Sequence, residues 1–383
     1  MMDAPILIIA GEKSGEKYGA NLVRQFMKIH PSRQFFGIGG KEMESAGVKL
    51  LYTIEDLAVI GIFELISHLP RIKKIFNHIK KSIKAQAPPV AVLIDSPDFN
   101  LRLAKFLKKL SIPVLYYVSP TVWAWRKRRL KIIKQTVDKM MLIFPFEEKI
   151  YQEHQIPAVY VGHPLLESIK LSMTRQEFCH DAGYDSQKRI IVLLPGSRKS
   201  EIKYHMPVLM QACQLILQDY DVQLAILQAE SLEMEDISRY IPPGMDNIQI
   251  QKTHHYETIA SSDLAIAACG TANLEVALLE IPVISFYRIS PLTYSFGIKF
   301  IKIHNYSIVN ILAGKKVIPE LIQKEFTVDN IFKETRKILE SGSIRSEMTE
   351  HFRKIKKDLG EKRASENAAA ELSRLIQPTD KSP

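Results

Sequence analysis

The sequence predicts an α/β protein built from two doubly wound, Rossmann-like domains with a cleft between them and a helical C-terminal tail. Three observations carry that expectation. Short runs rich in Ile, Val and Leu alternate with segments of helical period, the pattern of parallel strands joined by crossover helices. The alternation breaks near 157–175, in IPAVYVGHPLLESIKLSMTR, and then restarts. The chain has 383 residues, room for two to three domains at roughly 150 residues each.

In chain order, the first domain (1–168) is predicted to carry strands at PILIIA (5–10), RQFFGIG (33–39), VAVLID (90–95), PVLYYVS (113–119) and KMMLIF (139–144). Helical patterns such as EKYGANLVRQFMKIH and FNLRLAKFLKKL lie between them. The second domain (169–340) is predicted to repeat the scheme with RIIVLLPGSR (189–198), DVQLAIL (221–227), DLAIAA (263–268) and IPVISFY (281–287). From about 327 onward the text is helical and charged, and 341–383 forms the expected tail.

Composition narrows the function classes. Hydrophobic residues make up 46% and charged residues 25%, as in a soluble globular protein and unlike a disordered or collagenous one. Cys179, Cys213 and Cys269 are odd in number and far apart, so they suit neither a disulfide framework nor a paired-cysteine zinc site, and point to a reducing cytoplasm. The opening MMDAPILIIAGEKSG lacks a basic flank and reads as a first strand rather than a signal peptide. No apolar run approaches membrane-spanning length. The charge is uneven: 52 Lys and Arg face 42 Asp and Glu. RIKKIFNHIKKSIK (71–84) and RKRRLKIIK (126–134) hold six basic residues each and no acid, and the rest of the chain is near neutral. Local basic patches of this kind suit an anionic surface or polyanion. In 72–83, Ile72, Ile75, Phe76, Ile79 and Ile83 recur at helical spacing among the lysines. That segment fits docking to an anionic leaflet, or core packing with a solvated outer face.

Doubly wound sheets bind ligands in the loops after their strands, and five such loops carry candidate chemistry. Gly11-Glu12-Lys13-Ser14-Gly15-Glu16 joins the first strand to the first helix, where a helix N-terminus favours anions; it matches neither a P-loop nor a GxGxxG fingerprint. Asp95 ends a buried strand in Ile94-Asp95-Ser96-Pro97-Asp98, placed to act as a base. Asp98 is a substrate-binding candidate, with helix capping as its alternative. Both tryptophans, Trp123 and Trp125, precede Arg126, a combination suited to stacking on a base, packing on a sugar or touching a membrane interface. Pro195-Gly196-Ser197-Arg198 pairs backbone donors with a guanidinium fork suited to a diphosphate. Cys269-Gly270-Thr271-Ala272 opens another helix, and Glu275 one turn on can accept bonds from a ribose diol. Cys269 reads as a packing residue. His163, His254 and His255 lack metal-ligand spacing, so neither a metal site nor a cofactor is expected.

Taken in order, GEKSGE, GIGGKEMESAGV, DLAVIGIFE, IDSPDFN, YVSPTVWAWR, FPFE, VGHP, LLPGSRKSEI, CGTANLE and NILAG resemble the motif set of the lipid-A-disaccharide synthase family, from about residue 6 to 323. The resemblance implies a GT-B glycosyltransferase that joins UDP-2,3-diacylglucosamine to 2,3-diacylglucosamine 1-phosphate in a β(1→6) bond and releases UDP. It implies that Asp95 is the family's essential acid and Arg198 its essential arginine. Gly270, Thr271 and Ala272 fall on the nucleotide turn, Glu275 next to it, and Asn310 on the asparagine of the last motif. The chain departs from the usual pattern at Glu16, where the family often has Asp, and at Cys269, where it often has Ser. Both substrates are lipids, so the basic windows are expected to meet an anionic inner-membrane surface from the cytoplasmic side, with Leu57–Phe63 receiving acyl chains. The tail is expected to pack on the first domain or on a partner protomer of a homodimer. Another UDP-sugar enzyme of the same fold, an N-acetylglucosaminyltransferase or an epimerase, is the alternative. No nucleic-acid partner is expected, because no recognised module accompanies the basic windows.

Overall fold

A computed structural model describes residues 4–57, 62–123, 128–245, 247–290, 305–360 and 363–376, with backbone alone for 62–69. The chain forms two units: residues up to Glu167 joined by the segment from Leu359, and Ser168–Asp358.

The first unit is built on a seven-stranded parallel sheet in the order β3-β2-β1-β4-β5-β6-β7. Its strands are β1 (Ile6–Ala10), β2 (Phe35–Gly39), β3 (Val48–Thr53), β4 (Ala91–Ile94), β5 (Val114–Tyr117), β6 (Lys139–Leu142) and β7 (Ala158–Tyr160). The central strands are apolar throughout because helices cover both faces. On one face, the helices Ile62–Gln86, Pro97–Lys109 and Arg128–Thr136 bury Ile75, Ile79, Ile83, Leu103, Leu107, Leu130 and Ile133 against it. On the other, Lys13–Ile29 packs beside the C-terminal helix Ala364–Ile376, which contributes Ala368, Ala369 and Leu372 to the core. Polar contacts fix that last helix: Asn367 Nδ2 donates to Val161 O at 2.8 Å, and Lys139 Nζ lies 2.5 Å from the buried Glu371 carboxylate.

The second unit repeats the plan with six parallel strands in the order β10-β9-β8-β11-β12-β13. These are β8 (Arg189–Leu194), β9 (Val222–Leu227), β10 (Ile248–Gln251), β11 (Leu264–Ala268), β12 (Val283–Tyr287) and β13 (Glu320–Ile322). Its last helix is Gly342–Leu359, and Arg353 from it pairs with Glu280 at 2.8 Å.

In each sheet the chain winds outward in both directions from two adjacent central strands, β1 and β4 in the first and β8 and β11 in the second. These are the topological switch points, where the loops after neighbouring strands part and leave room for a ligand.

The C-terminal helix is structural for the first unit. Leu372→Ala removes a fully buried side chain and should cost about 2–5 kcal/mol, read as an earlier first-unit transition in urea with the second unit's transition unmoved. An unshifted first transition would show that the helix is merely appended.

Candidate active site

At the first switch point, the turn after β4 is held by its neighbours. The Asn100 amide donates to Ile94 O at 3.0 Å and to Asp95 O at 2.9 Å, and the Tyr116 hydroxyl donates to Asp95 O at 2.5 Å. Asn100 and Tyr116 are fully buried. So held, Asp95 and Ser96 adopt left-handed backbone, with φ of 48° and 41°. Val118, at the same level after β5, has φ of 68°, a conformation β-branched residues rarely accept. Strain of this kind costs on the order of 1–3 kcal/mol per residue and persists where surrounding bonds over-determine it.

The turn aims the Asp95 carboxyl toward the loop after β1. Burial, and then the nearby Glu12 carboxylate, push its pKa up to about 7, against the pull of the Ser96 amide and of Arg129. A carboxyl that titrates near neutrality is suited to take a proton from an alcohol. Gly11 is required where the two loops meet, since a Cβ there would sit 1.9 Å from Ser96 Oγ. The helix begins at Lys13, which places Ser14 and Gly15 in its first turn beside Asp95's strand. Ser14 is half-buried, and Gly15 is packed on Ile94. Glu16 is fully buried and accepts from Glu42 N at 2.9 Å, so its longer side chain reaches the start of the helix Lys41–Ser45. Asp98 is exposed and ion-paired to the buried Arg129 at 2.9 Å.

At the second switch point, Pro195-Gly196-Ser197-Arg198 crosses from β8 into the helix Lys199–Asp219. The buried Glu201 carboxylate accepts from Ser197 N at 2.9 Å, Arg198 N at 3.2 Å and the Tyr287 hydroxyl at 3.0 Å. Gly196 has φ of 122°, and a Cβ there would meet Glu201 at 2.6 Å. One helical turn on, the buried His205 ring holds the other side of the loop. Its Nδ1 donates to Pro195 O at 2.7 Å, and its Nε2 lies 2.9 Å from Arg288 O and 3.1 Å from Arg288 N, so the ring ties the loop after β8 to the end of β12. Burial lowers the His205 pKa, keeping the ring neutral. The Arg198 guanidinium lies 3.4 Å from Glu201 yet is largely exposed.

Beside it, after β11, Gly270 caps the helix Thr271–Leu278 and is exposed with open space around it, as is Thr271; Ala272 is half-buried. Helix-start N–H groups here, with Arg198 on the neighbouring loop, are donors of the kind that can hold an anion. Burial pushes the Cys269 thiol up to about 12, so it stays protonated. Glu275 faces His255 Nε2 at 3.4 Å and the Tyr256 hydroxyl, whose pKa is raised by burial and by this carboxylate.

The structure thus gathers Ser14, Gly15, Asp95 and Asp98 around one switch point, and Gly196, Ser197, Arg198, Gly270, Thr271, Ala272 and Glu275 around the other. Asn310 is tied to the second of these through Glu320, whose carboxylate acts on Cys269. It is fully buried, and its amide is spent on the chain: Nδ2 donates to Ile318 O at 3.0 Å and Glu320 at 2.9 Å, while Oδ1 accepts from Val317 N at 2.7 Å and Ile318 N at 2.9 Å. Its helix, Ile308–Ala313, packs on the helix that begins at Thr271. The supports Asn100, Tyr116, Glu201 and His205 were not among the sequence candidates. For Glu201 a signal existed, since it stands three residues past Arg198, the spacing of a capping-box acid. Trp125, Arg126 and residues 58–61 of the expected acyl-binding stretch lie outside the described residues.

Comparison with known proteins agrees with this geometry. The family model described as lipid-A-disaccharide synthetase matches residues 6–373. The lipid-A-disaccharide synthase of Syntrophus aciditrophicus is 39% identical, with 98% of each chain covered. That of Geobacter sulfurreducens is 37% identical, with 97% of each covered. Among solved structures, UDP-GlcNAc 2-epimerase from Neisseria meningitidis bound to UDP-GlcNAc aligns with a TM-score of 0.64 at 10% identity, covering 97% of this chain and 99% of that one. The calicheamicin glycosyltransferase aligns with a TM-score of 0.63 at 12% identity, covering 99% and 100%. The structural likenesses show the shared GT-B fold; the sequence relatives decide between its activities and leave the epimerase and N-acetylglucosaminyltransferase alternatives unfavoured. With a whole-length family match and relatives above one-third identity, the chain belongs to the lipid-A-disaccharide synthase family, glycosyltransferases that form the lipid A disaccharide.

Proposed function

We propose that the chain transfers the sugar of UDP-2,3-diacylglucosamine to the 6-hydroxyl of 2,3-diacylglucosamine 1-phosphate with inversion, and that Asp95 is the base. The 6-oxygen attacks the anomeric carbon and forms the new C–O bond as the bond from that carbon to the diphosphate oxygen breaks. The hydroxyl proton passes to the Asp95 carboxylate, and the electron pair leaves with UDP. Arg198 and the N–H groups at Gly270, Thr271 and Ala272 meet the charge growing on the diphosphate. Gly196 and Ser197 shape the loop that presents Arg198, and Glu275 receives the ribose. Ser14 and Gly15 line the acceptor side, Asp98 fixes Arg129 beside it, and Asn310 positions the donor-side helix. The observation that supports this reading best is the Asp95 carboxyl, held at a switch point by a strained turn with its pKa pushed up to about 7.

The acceptor and donor are lipids, so we also assign the first unit a membrane-facing role. No helix among the described residues is long and apolar enough to cross a membrane. Ile75, Ile79 and Ile83 are core residues, leaving Lys73, Lys74, Lys81 and Lys84 exposed. Arg102, Lys105 and Lys131 extend the basic surface over the neighbouring helices of the same sheet face. Such a surface binds the anionic cytoplasmic leaflet by charge, as a peripheral protein.

With both acylated sugars supplied, the wild-type chain should release UDP and disaccharide together. Asp95→Asn should lower turnover about 10²- to 10⁴-fold and abolish the rise of kcat/KM with pH through about 7. Because the native carboxyl holds a proton that the unfolded chain loses between pH 3.8 and about 7, wild-type stability falls across that window. The asparagine variant should escape that fall and melt higher at pH 8, by roughly 2–4 °C. Near-normal turnover in Asp95→Asn would remove it as the base.

Arg198→Ala should lower kcat/KM about 10²- to 10³-fold and weaken UDP binding in calorimetry. Undiminished UDP affinity would place the diphosphate elsewhere. Charge reversal of Lys73, Lys74 and Lys81 to Glu should weaken binding to phosphatidylglycerol vesicles at least about tenfold without moving the melting temperature. Binding that survives the reversal and 0.5 M salt would rule out a charge-driven surface.

A further inference from the structure

One buried acid is not used by this mechanism. Glu147 follows β6 in Phe144-Pro145-Phe146-Glu147 and is 1% exposed. Its Oε1 accepts from the Trp123 indole N–H at 3.3 Å, while Oε2 is buried without a hydrogen-bond partner among the described residues. The cage is aromatic: Trp123 and Phe146 meet edge to face at 5.6 Å, and Phe146 stacks on Phe144 at 5.7 Å. Ser119, from the Trp123 loop, bonds Tyr151 at 2.7 Å and faces the same carboxyl. The loop carrying Trp123 follows β5, next to the β4 turn that holds Asp95, and Asp95 N donates to Tyr117 O at 3.0 Å. The loop carrying Glu147 follows β6, one strand further along.

We propose that Glu147 is a positioning residue for the acceptor: through the indole N–H it fixes Trp123 at the carboxyl edge of the first sheet, next to the Asp95 turn, where the half-buried ring packs on the acceptor sugar. This rests on the reading that the first unit binds the acceptor. A carboxyl in this cage works uncharged. Burial pushes its pKa up to about 8. Among the described residues, the titratable groups packed around it bring no compensating charge, since burial lowers His163, behind Phe144, to about 3 and raises the Tyr151 hydroxyl. The neighbouring Glu148 is turned away, accepting from Tyr160 N at 3.0 Å. Above about pH 8 the ionised form is no longer compatible with the apolar cage, so the indole should shift as Glu147 titrates.

The chain reports this directly, because its two tryptophans are Trp123 and Trp125, two residues apart in sequence. Intrinsic fluorescence of the full chain from pH 6.5 to 9.5, with KM for each substrate, tests the proposal. Wild type should show an emission shift centred near pH 8 that Glu147→Gln lacks, because the amide keeps an uncharged acceptor for the indole. Glu147→Ala should raise the acceptor KM at least tenfold with the donor KM unchanged, and the glutamine variant should recover most of that loss. Trp123→Phe should reproduce the alanine defect, and the double variant should be no worse. If the alanine variant does not fold, Trp123→Phe and Glu147→Gln decide the matter. An acceptor KM unmoved by Trp123→Phe, or a wild-type emission shift that persists in Glu147→Gln, overturns the proposal. Failure of the acceptor reading itself would appear differently, as wild-type chain releasing no UDP when both sugars are supplied.

Discussion

The structure of the active site depends on one buried amide. Asn100 gives both its N–H bonds to successive carbonyls, Ile94 and Asp95, at the point where β4 becomes a helix. With Tyr116 pulling on the same Asp95 carbonyl, these bonds hold two consecutive residues in left-handed backbone, which an unconstrained chain would leave. The strain has a function. Held this way, the Asp95 carboxyl lies within electrostatic reach of Glu12 and Arg129. The same turn sets its acidity, removing the carboxyl from water and bringing it against Glu12, while the Ser96 amide limits the rise. Gly11 follows from this geometry too, since no side chain fits against the displaced Ser96.

The two units solve the same topological problem with opposite electrostatics. At the carboxyl edge of the first sheet the notable groups are acids made weaker by burial, Asp95 and Glu147. At the edge of the second they are donors: a guanidinium and helix starts. Even there a carboxylate is present, and its placement is informative. Glu201 already satisfies the Ser197 and Arg198 amides, so it fixes the loop's shape rather than leaving those amides to a ligand. In the proposed reading the diphosphate meets the exposed Arg198 fork and the helix starts, while Glu201 and His205 hold the loop from behind.

What could be read from the sequence follows the same division between local and tertiary causes. The nine strands announced by apolar runs are the inner ones, buried on both faces. The four that the runs do not announce are β3, β7, β10 and β13, the edge strands of the two sheets. An edge strand is short or half-exposed, and Ile-Gln-Ile-Gln or Glu-Leu-Ile carries too little apolar text to stand out. Asp95, Arg198 and the Gly270 turn were legible because doubly wound folds put chemistry in loops after strands. Tyr116 and His205 act through contacts that exist only once strands are paired, whereas Asn100 and Glu201 bond within their own loops and Glu201 stands at capping-box spacing. Asn310 shows the converse: a motif residue whose entire bonding capacity goes to its own fold.

The basic helix shows how composition and structure combine to narrow the proposed membrane-facing role. Its sequence allows two amphipathic readings, an apolar stripe laid into lipid or an apolar stripe laid onto a sheet. Ile75, Ile79 and Ile83 have 0–2% exposure within the core, so these three are spent on the sheet, while Ile72 and Phe76 keep part of their surface exposed. Lys80 follows the same economy, its ammonium resting over the Phe76 and Phe106 rings at 5.5 and 4.8 Å. The exposed lysines among the described residues offer attachment by charge. An attachment of that kind is shallow and reversible, and is screened within a Debye length of about 8 Å at physiological salt. It suits an enzyme that must find lipid substrates at a surface and leave with a water-soluble UDP released behind it.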